Sequence, residues 1–242
     1  MAKVSVIVPA AGAGERFGGK RNKIFERIKG QPVFIRSLEV FTSREDVCQT
    51  QLVIAAADME ELKSRFGGHL GFMGVKVVEG GATRPQSVRN ALANVAGEAD
   101  LVCVHDAVRP CISPLWVDAV FKQAEKTGAA ILAYPVHGTL KKVSQAGLID
   151  QTVPRSDLWE AQTPQVFRRD ILQAAYAGNI EGATDDAQLV EAAGHAVSVV
   201  TGDPRNIKIT TQSDLALAAA VIDSLPKPKP KAPAGPFDEA RW

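Results

Sequence analysis

The sequence predicts an α/β domain with a mostly parallel sheet and a projecting β-hairpin arm. Three observations carry this. Short β-branched apolar runs alternate with longer stretches of helical spacing from residue 4 to residue 222, and such alternation folds as parallel strands joined by right-handed helical crossovers. The first run, Val4–Val8, is continuously apolar, as a strand covered on both faces must be. One segment breaks the alternation: Thr139–Ser144 and Leu148–Val153 flank Gln145-Ala146-Gly147, which is a hairpin signature.

After Val4–Val8, further strands are expected at Gln51–Ala56, Val75–Val78, Leu101–Val104, Ala129–Ala133, Val197–Val200 and Ile207–Ile209. Helices fall between them. One is expected from Pro32 to Phe41, and another from Gln86 to Val95, where Val88, Ala91, Leu92 and Val95 share a face. Ser113-Pro114 pairs an N-cap residue with proline at the first helical position and opens a helix to about Lys126. Thr184 is expected to cap Asp185–Ala193, and Thr211 or Ser213 to cap a helix through Ile222. The domain is read as residues 1–224, with the arm at about 136–156 inside it. A two-stranded arm is marginal alone and needs a surface to pack on, either a second copy of the chain or its own domain. Residues 225–242, with five prolines and interleaved lysines, read as an extended, disordered tail.

Composition narrows the function. Of 242 residues, 28 are Lys or Arg and 27 are Asp or Glu, a net charge of +1; a dedicated nucleic-acid binder would carry a strongly basic face. The three cysteines, Cys48, Cys103 and Cys111, and the four histidines fit no zinc or disulfide spacing. The first apolar run stops at Pro9 and soon meets Glu15 and Arg16, which is not a signal peptide. No apolar stretch is long enough to span a membrane. A cytoplasmic enzyme or binding domain is the expectation.

In open α/β sheets ligands bind beyond the carboxyl ends of strands, so chemistry is sought just after each apolar run. The first such turn is Pro9-Ala10-Ala11-Gly12-Ala13-Gly14-Glu15-Arg16-Phe17-Gly18-Gly19-Lys20-Arg21-Asn22-Lys23. Its small residues let backbone approach a ligand, and free N–H groups can cradle phosphate. A dinucleotide fingerprint fails at Phe17, where the third glycine belongs. A P-loop fails at Arg21, where the magnesium-binding hydroxyl belongs. What stands out is Arg16, Lys20, Arg21 and Lys23 within eight residues, a cation density suited to a polyphosphate undergoing in-line displacement. The second region, Glu79 to Val88, places Gly80 and Gly81 in a tight turn, with Arg84 and Ser87 near a helix N-terminus. The third, Val104-His105-Asp106-Ala107-Val108-Arg109-Pro110, closes a strand with an acid and a base three apart. Asp106 could hold a metal or a substrate hydroxyl and Arg109 a phosphate; a salt bridge between the two is the plainer role and is compatible with both.

Seven phrases occur in order: PAAGAGERFGG with the following NK, EGGATRPQSV, VHDAVRP, GTLKKV, TVPRSDLW, AQTPQVF and NIKIT. Together they closely resemble the 2-C-methyl-D-erythritol 4-phosphate cytidylyltransferase family of the non-mevalonate isoprenoid pathway, over about residues 3 to 222. The resemblance implies a Rossmann-like nucleotidyltransferase domain. It also implies a reaction in which CTP and methylerythritol 4-phosphate give the CDP-linked alcohol and pyrophosphate, with magnesium held mostly by CTP. By motif position it implies that Arg16 and Lys23 stabilise the transition state, that Lys208 holds both phosphates, and that Ala10, Ala11, Gly12 and Gly14 line the nucleotide. Gly81, Arg84 and Ser87 would surround cytosine and ribose. Asp106, Ala107 and Arg109 would lie where nucleotide, metal and sugar phosphate meet. Thr139 and Arg155 would reach from the arm to the acceptor in the neighbouring subunit of a homodimer, with Thr163 and Thr184 also on the acceptor side.

The chain departs from the family pattern in places. Asn22-Lys23-Ile24 stands where Pro-Lys-Gln is common, Ala82 where an acid is frequent, and Gly138 where an acid often precedes the threonine. A pentitol-phosphate cytidylyltransferase acting on ribitol 5-phosphate shares the nucleotide half. A non-catalytic nucleotide sensor on the same fold is the reading from another class.

Overall fold

The computed structural model describes residues 1–12, 17 and 22–228. Its centre is a seven-stranded sheet built from β1 (Val4–Pro9), β4 (Val47–Ile54), β5 (Val75–Glu79), β6 (Leu101–Val104), β7 (Ala129–Pro135), β10 (Trp159–Arg168) and β11 (Ser198–Thr201). The spatial order is β11-β7-β10-β6-β1-β4-β5. All pairings are parallel except those of β10, which runs antiparallel to β6 and β7. Two short strands, β2 (Arg27–Ile28) and β3 (Gln31–Pro32), make a small hairpin. The arm consists of β8 (Leu140–Val143) and β9 (Ile149–Val153).

Helices cover both faces, and the strands show why. Along β1, Val4, Val6 and Val8 enter one apolar core while Ile7 enters the other. Leu101 and Cys103 of β6 face the first core, and Val102 and Val104 the second. This is the period of two expressed in a sheet with no wet face. The first core is closed by α1 (Val33–Thr42), α2 (Met59–Phe72), α4 (Pro114–Thr127) and α7 (Gln212–Val221). The second is closed by α3 (Arg84–Leu92), α5 (Arg169–Ala177) and α6 (Asp186–Ala192).

Ser113 caps α4 by accepting the Leu115 N–H, with Pro114 in the first turn, as expected. Thr211, not Ser213, caps α7 through a reciprocal box with Asp214. Two expectations are corrected. Asp185, not Thr184, caps α6: Gln165 Nε2 holds one Asp185 oxygen at 2.8 Å, leaving the other for the Gln188 N–H. Ile207–Ile209 is not a strand. Its alternation records an extended pass in which Ile209 is buried and donates its N–H to Val108 at 2.8 Å, with no ladder beyond. The tail begins on the domain, with Ser113 Oγ donating to the Pro226 carbonyl at 2.6 Å; residues 229–242 lie outside the described residues.

Candidate active site

β1 is flanked by β4 on one side and β6 on the other. The chain thus winds outward in two directions, and the carboxyl ends of β1 and β6 form a topological switch point. Most of the sequence-selected residues converge near it.

The turn after β1 is pinned where Ala10 donates its N–H to Val53 at 2.7 Å. The turn after β5 packs against it. A side chain on Gly80 would meet Ala11 Cβ at 2.6 Å and Ser87 Oγ at 2.9 Å, so this approach requires glycine. Ser87 is buried. Its hydroxyl donates to the Thr83 carbonyl at 2.9 Å and accepts the Gly81 N–H at 3.1 Å, so it braces the loop from inside. Ala11 and Gly12 remain more open at the rim, and Gly12 has free space about its Cα. Gly14, Arg16, Lys20 and Arg21 lie outside the described residues. Lys23 opens a one-turn 3-10 helix, Lys23–Phe25, whose Ile24 and Phe25 are buried in the first core.

The centre of the site is Asp106, just past β6. Arg84 Nε lies 3.1 Å from its Oδ1, and Lys208 Nζ lies 2.8 Å from its Oδ2. Arg109 Nε stands 3.9 Å from the same Oδ2. Burial works to raise the Asp106 carboxyl, but the charges of Arg84, Lys208 and Arg109 hold it well below the usual carboxylate range. Arg109 is buried, donates from Nη1 to the Asn206 carbonyl at 2.6 Å, and leaves Nε without a hydrogen-bond partner among the described residues. Ala107 is buried beneath, its carbonyl accepting from Ser37 Oγ at 2.8 Å.

Behind Arg84 stands a residue that sequence reasoning missed. Asp186 is fully buried and takes the guanidinium in two bonds, 3.2 Å from Nη1 and 2.7 Å from Nη2. Tyr176 donates its hydroxyl to Asp186 Oδ1, and the Asp186 N–H is held by Gln165 Oε1 at 3.0 Å. Burial opposes the charge on Arg84, yet Asp186 and Asp106 keep its pKa raised. Three cations therefore face two carboxylates, and the centre carries positive charge suited to an anion.

Thr163 and His105 fix the backbone here. His105 Nε2 lies 3.1 Å from the Arg109 carbonyl, and Nδ1 lies 3.2 Å from Thr163 Oγ1. A carbonyl only accepts, so Nε2 bears the proton and Nδ1 accepts from Thr163. Thr163 Oγ1 in turn accepts the Asp106 N–H at 3.1 Å. Burial pushes the imidazole down to about 4, against the opposing pull of Asp106. Because an unfolded histidine takes its proton near 6.5, the unfolded state binds more protons between the two values. Stability present above pH 6.5 is expected to drain away as pH falls toward 4. Urea melts across this window should show a shallower slope for His105→Gln than for the unaltered protein. Equal slopes would mean that His105 does not stay neutral in the folded state.

Thr184 and the two arm residues stand apart. Thr184 is exposed and donates to Gln188 Oε1 at 3.1 Å. Thr139 and Arg155 are exposed on the arm, where Arg155 donates to the His137 carbonyl. No contact among the described residues joins them to Asp106 within one chain.

Residues 4–224 match the family model of 2-C-methyl-D-erythritol 4-phosphate cytidylyltransferase. The chain belongs to this family. It is 41% identical over 234 residues to the 2-C-methyl-D-erythritol 4-phosphate cytidylyltransferase of Rhodopirellula baltica, covering 92% of this chain and 96% of that one. The Bacillus licheniformis protein of the same name is 40% identical over 222 residues, covering 90% and 95%. Among solved structures, the crystal structure of the Thermus thermophilus cytidylyltransferase superposes with a TM-score of 0.76 at 33% identity, covering 91% of this chain and 99% of that one. The mostly parallel α/β fold is shared with solved cytidylyltransferases.

Proposed function

We propose that this chain transfers the cytidylyl group of CTP to 2-C-methyl-D-erythritol 4-phosphate, giving 4-diphosphocytidyl-2-C-methyl-D-erythritol and pyrophosphate for isoprenoid synthesis. The observation that carries the reading is the cationic centre at the β6 terminus, where Arg84, Arg109 and Lys208 crowd one ionised carboxylate, in a chain of this family.

In the reaction a phosphate oxygen of the acceptor forms a bond to the α-phosphorus of CTP. The bond from that phosphorus to the β-phosphate oxygen breaks, and pyrophosphate leaves. No protein nucleophile is required. The protein's task is to align two anions that repel one another and to meet the charge that builds as the bonds exchange. Lys23 and Arg16 take the triphosphate. Ala10, Ala11, Gly12 and Gly14 line the nucleotide, with Gly81 beside them and Ser87 bracing the loop. Lys208, 40% exposed beside Asp106, can leave the carboxylate for an arriving phosphate. Arg109 brings a buried Nε donor that has no hydrogen-bond partner among the described residues. Arg84 makes one bond to Asp106 and two to Asp186, so it positions those carboxylates, and two of its five N–H groups are left to meet the nucleotide. Thr163 holds the Asp106 backbone, and Thr184 would serve the acceptor side.

The donor set fits magnesium in one way. Asp106 is an oxygen ligand kept ionised, but it sits among cations that repel a bare metal ion, so it would hold magnesium only together with the triphosphate. Asp106 and the phosphate oxygens would hold it. When bound, it supplies further neutralisation of phosphate charge.

Val143, Leu148 and Ile149 on the arm, with Leu158 and Trp159 at its foot where β10 begins, expose large apolar side chains, which supports a homodimer formed through the arm. Thr139 and Arg155 would then face the partner's acceptor site. Arg155→Ala is expected to raise KM for methylerythritol 4-phosphate about tenfold or more while leaving CTP affinity nearly unchanged. A loss confined to CTP would remove the arm from the acceptor site. No helix among the described residues is long and apolar enough to cross a membrane, and a cytoplasmic location accords with these soluble substrates.

The test is pyrophosphate release with CTP, magnesium and methylerythritol 4-phosphate. Turnover should exceed that with ribitol 5-phosphate as acceptor and that with UTP as donor. Equal or faster release with ribitol 5-phosphate overturns the acceptor assignment. CTP binding with no turnover of either polyol phosphate would leave a nucleotide sensor.

A further inference from the structure

The loop carrying Lys23 is held by a contact that none of the assigned roles explains. Asn22 stands at its head with φ −62° and ψ 127°, a φ that proline would also adopt. Here the side chain supplies the constraint instead. Asn22 Oδ1 accepts the Ile24 N–H at 3.2 Å. Nδ2 donates to Asp58 Oδ2 at 2.7 Å and lies 3.4 Å from the Ala10 carbonyl. This amide orientation is the one that works, because the reverse would set an oxygen against a carboxylate and an NH2 against an N–H.

The partners belong to separate elements. Asp58 ends the 3-10 turn that follows β4, and Ala10 follows β1 and hangs on β4 through Val53. Asn22 thus ties the Lys23 turn to both neighbouring strand ends. Below it, Phe25 stacks on Phe66 with ring centroids 5.9 Å apart and meets Phe34 edge-on at 6.0 Å. A lysine is a point charge on a flexible four-carbon stem, so its usefulness depends on where the backbone holds the base of that stem.

We infer that Asn22 is a positioning residue for Lys23, acting through its tether to Asp58. The inference rests on the proposed role of Lys23 at the triphosphate. Asn22→Asp separates the tether from the cap. It keeps the oxygen that accepts from Ile24, removes the donor, and sets a second carboxylate against Asp58. Turnover should fall about tenfold or more, the scale on which small misplacement costs rate, with KM for CTP changed less than threefold. Exchanging the pair, Asn22→Asp with Asp58→Asn, restores a donor and an acceptor in reversed order and should return kcat to within about threefold of the starting protein. Asn22→Ala, which adds no charge, should shift kcat in the same direction as Asn22→Asp. In a Lys23→Ala background, Asn22→Asp should cost nothing further.

Wild-type kcat in both Asn22→Asp and Asn22→Ala, no recovery in the exchanged pair, or an undiminished loss in the Lys23→Ala background overturns the inference. Normal turnover of Lys23→Ala alone would instead remove the role of Lys23, and the inference with it. The two failures are told apart by that single variant.

Discussion

Lys23→Ala is expected to lower kcat by about 10²- to 10³-fold, the usual cost of losing one donor aimed at developing charge. The reason lies in where Lys23 sits. It begins the turn that closes the glycine-rich segment after β1, and the next two residues, Ile24 and Phe25, are 1% and 3% exposed. The turn is therefore seated in the core while its first side chain is the charged one. Removing that side chain takes away the ammonium while the two buried residues that follow keep their places in the core. In the proposed mechanism other cations still meet the triphosphate in the ground state, so KM for CTP should move much less than kcat. Steady-state pyrophosphate release, with circular dichroism to show an unchanged fold, makes the measurement. Turnover within a few-fold of the starting protein would strike Lys23 from the mechanism. Lys23→Arg should recover only part of the loss, because a planar fork does not place its charge where an ammonium does.

Asp186→Ala is expected to be the most destabilising single change in the site. Asp186 is fully buried, holds Arg84 by two bonds, and accepts from Tyr176. Its removal leaves a guanidinium that is 23% exposed with Asp106 as its remaining carboxylate partner among the described residues. Breaking one half of such a pair costs about 3–5 kcal/mol, which for a chain of this size lowers the melting midpoint by roughly 6–20 °C. Tyr176→Phe removes one bond to the same carboxylate and should cost about 1–3 kcal/mol. Calorimetry on both variants checks the order. A midpoint for Asp186→Ala within 2 °C of the unaltered protein would mean that Arg84 finds another partner and that the pair is not what holds this corner together.

Local physics made much of this fold legible. Val4–Val8 could be read because a strand covered on both faces is apolar at every position, and α4 because Ser113-Pro114 is a cap with its first-turn proline. β10 could not be read. Gln162-Thr163-Pro164 interrupts its alternation, and the pairing with β7 shifts register between Ala161 and Gln165; proline is tolerated inside a sheet at such irregularities. α2 was hidden by Gly67, Gly68 and Gly71, each worth about 1 kcal/mol against a helix, which packing of Leu62, Phe66 and Leu70 overrides.

In the site, Asp106, Arg109 and Arg84 stand out because charge follows an apolar run or opens a helix. Asp186 did not, because its partner Arg84 lies 102 residues earlier and its own surroundings look like an ordinary helix start. Asn22 could be seen as unusual, but not what its side chain grips.

The placement of β10 between β6 and β7 has a consequence for how the molecule is made. β6 and β7 follow one another along the chain but do not touch; they are joined only when residues 159–168 slot between them. A nascent polypeptide that has emerged only as far as the arm leaves one edge of β6 and both edges of β7 with nothing to pair, because β10 and β11 are still to come. Such edges recruit other chains, and long-range pairing is slow to form. Synthesis that pauses before residue 159 should therefore leave an aggregation-prone intermediate; emergence of residues 159–168 should close the gap between β6 and β7, and emergence of β11 the remaining edge of β7.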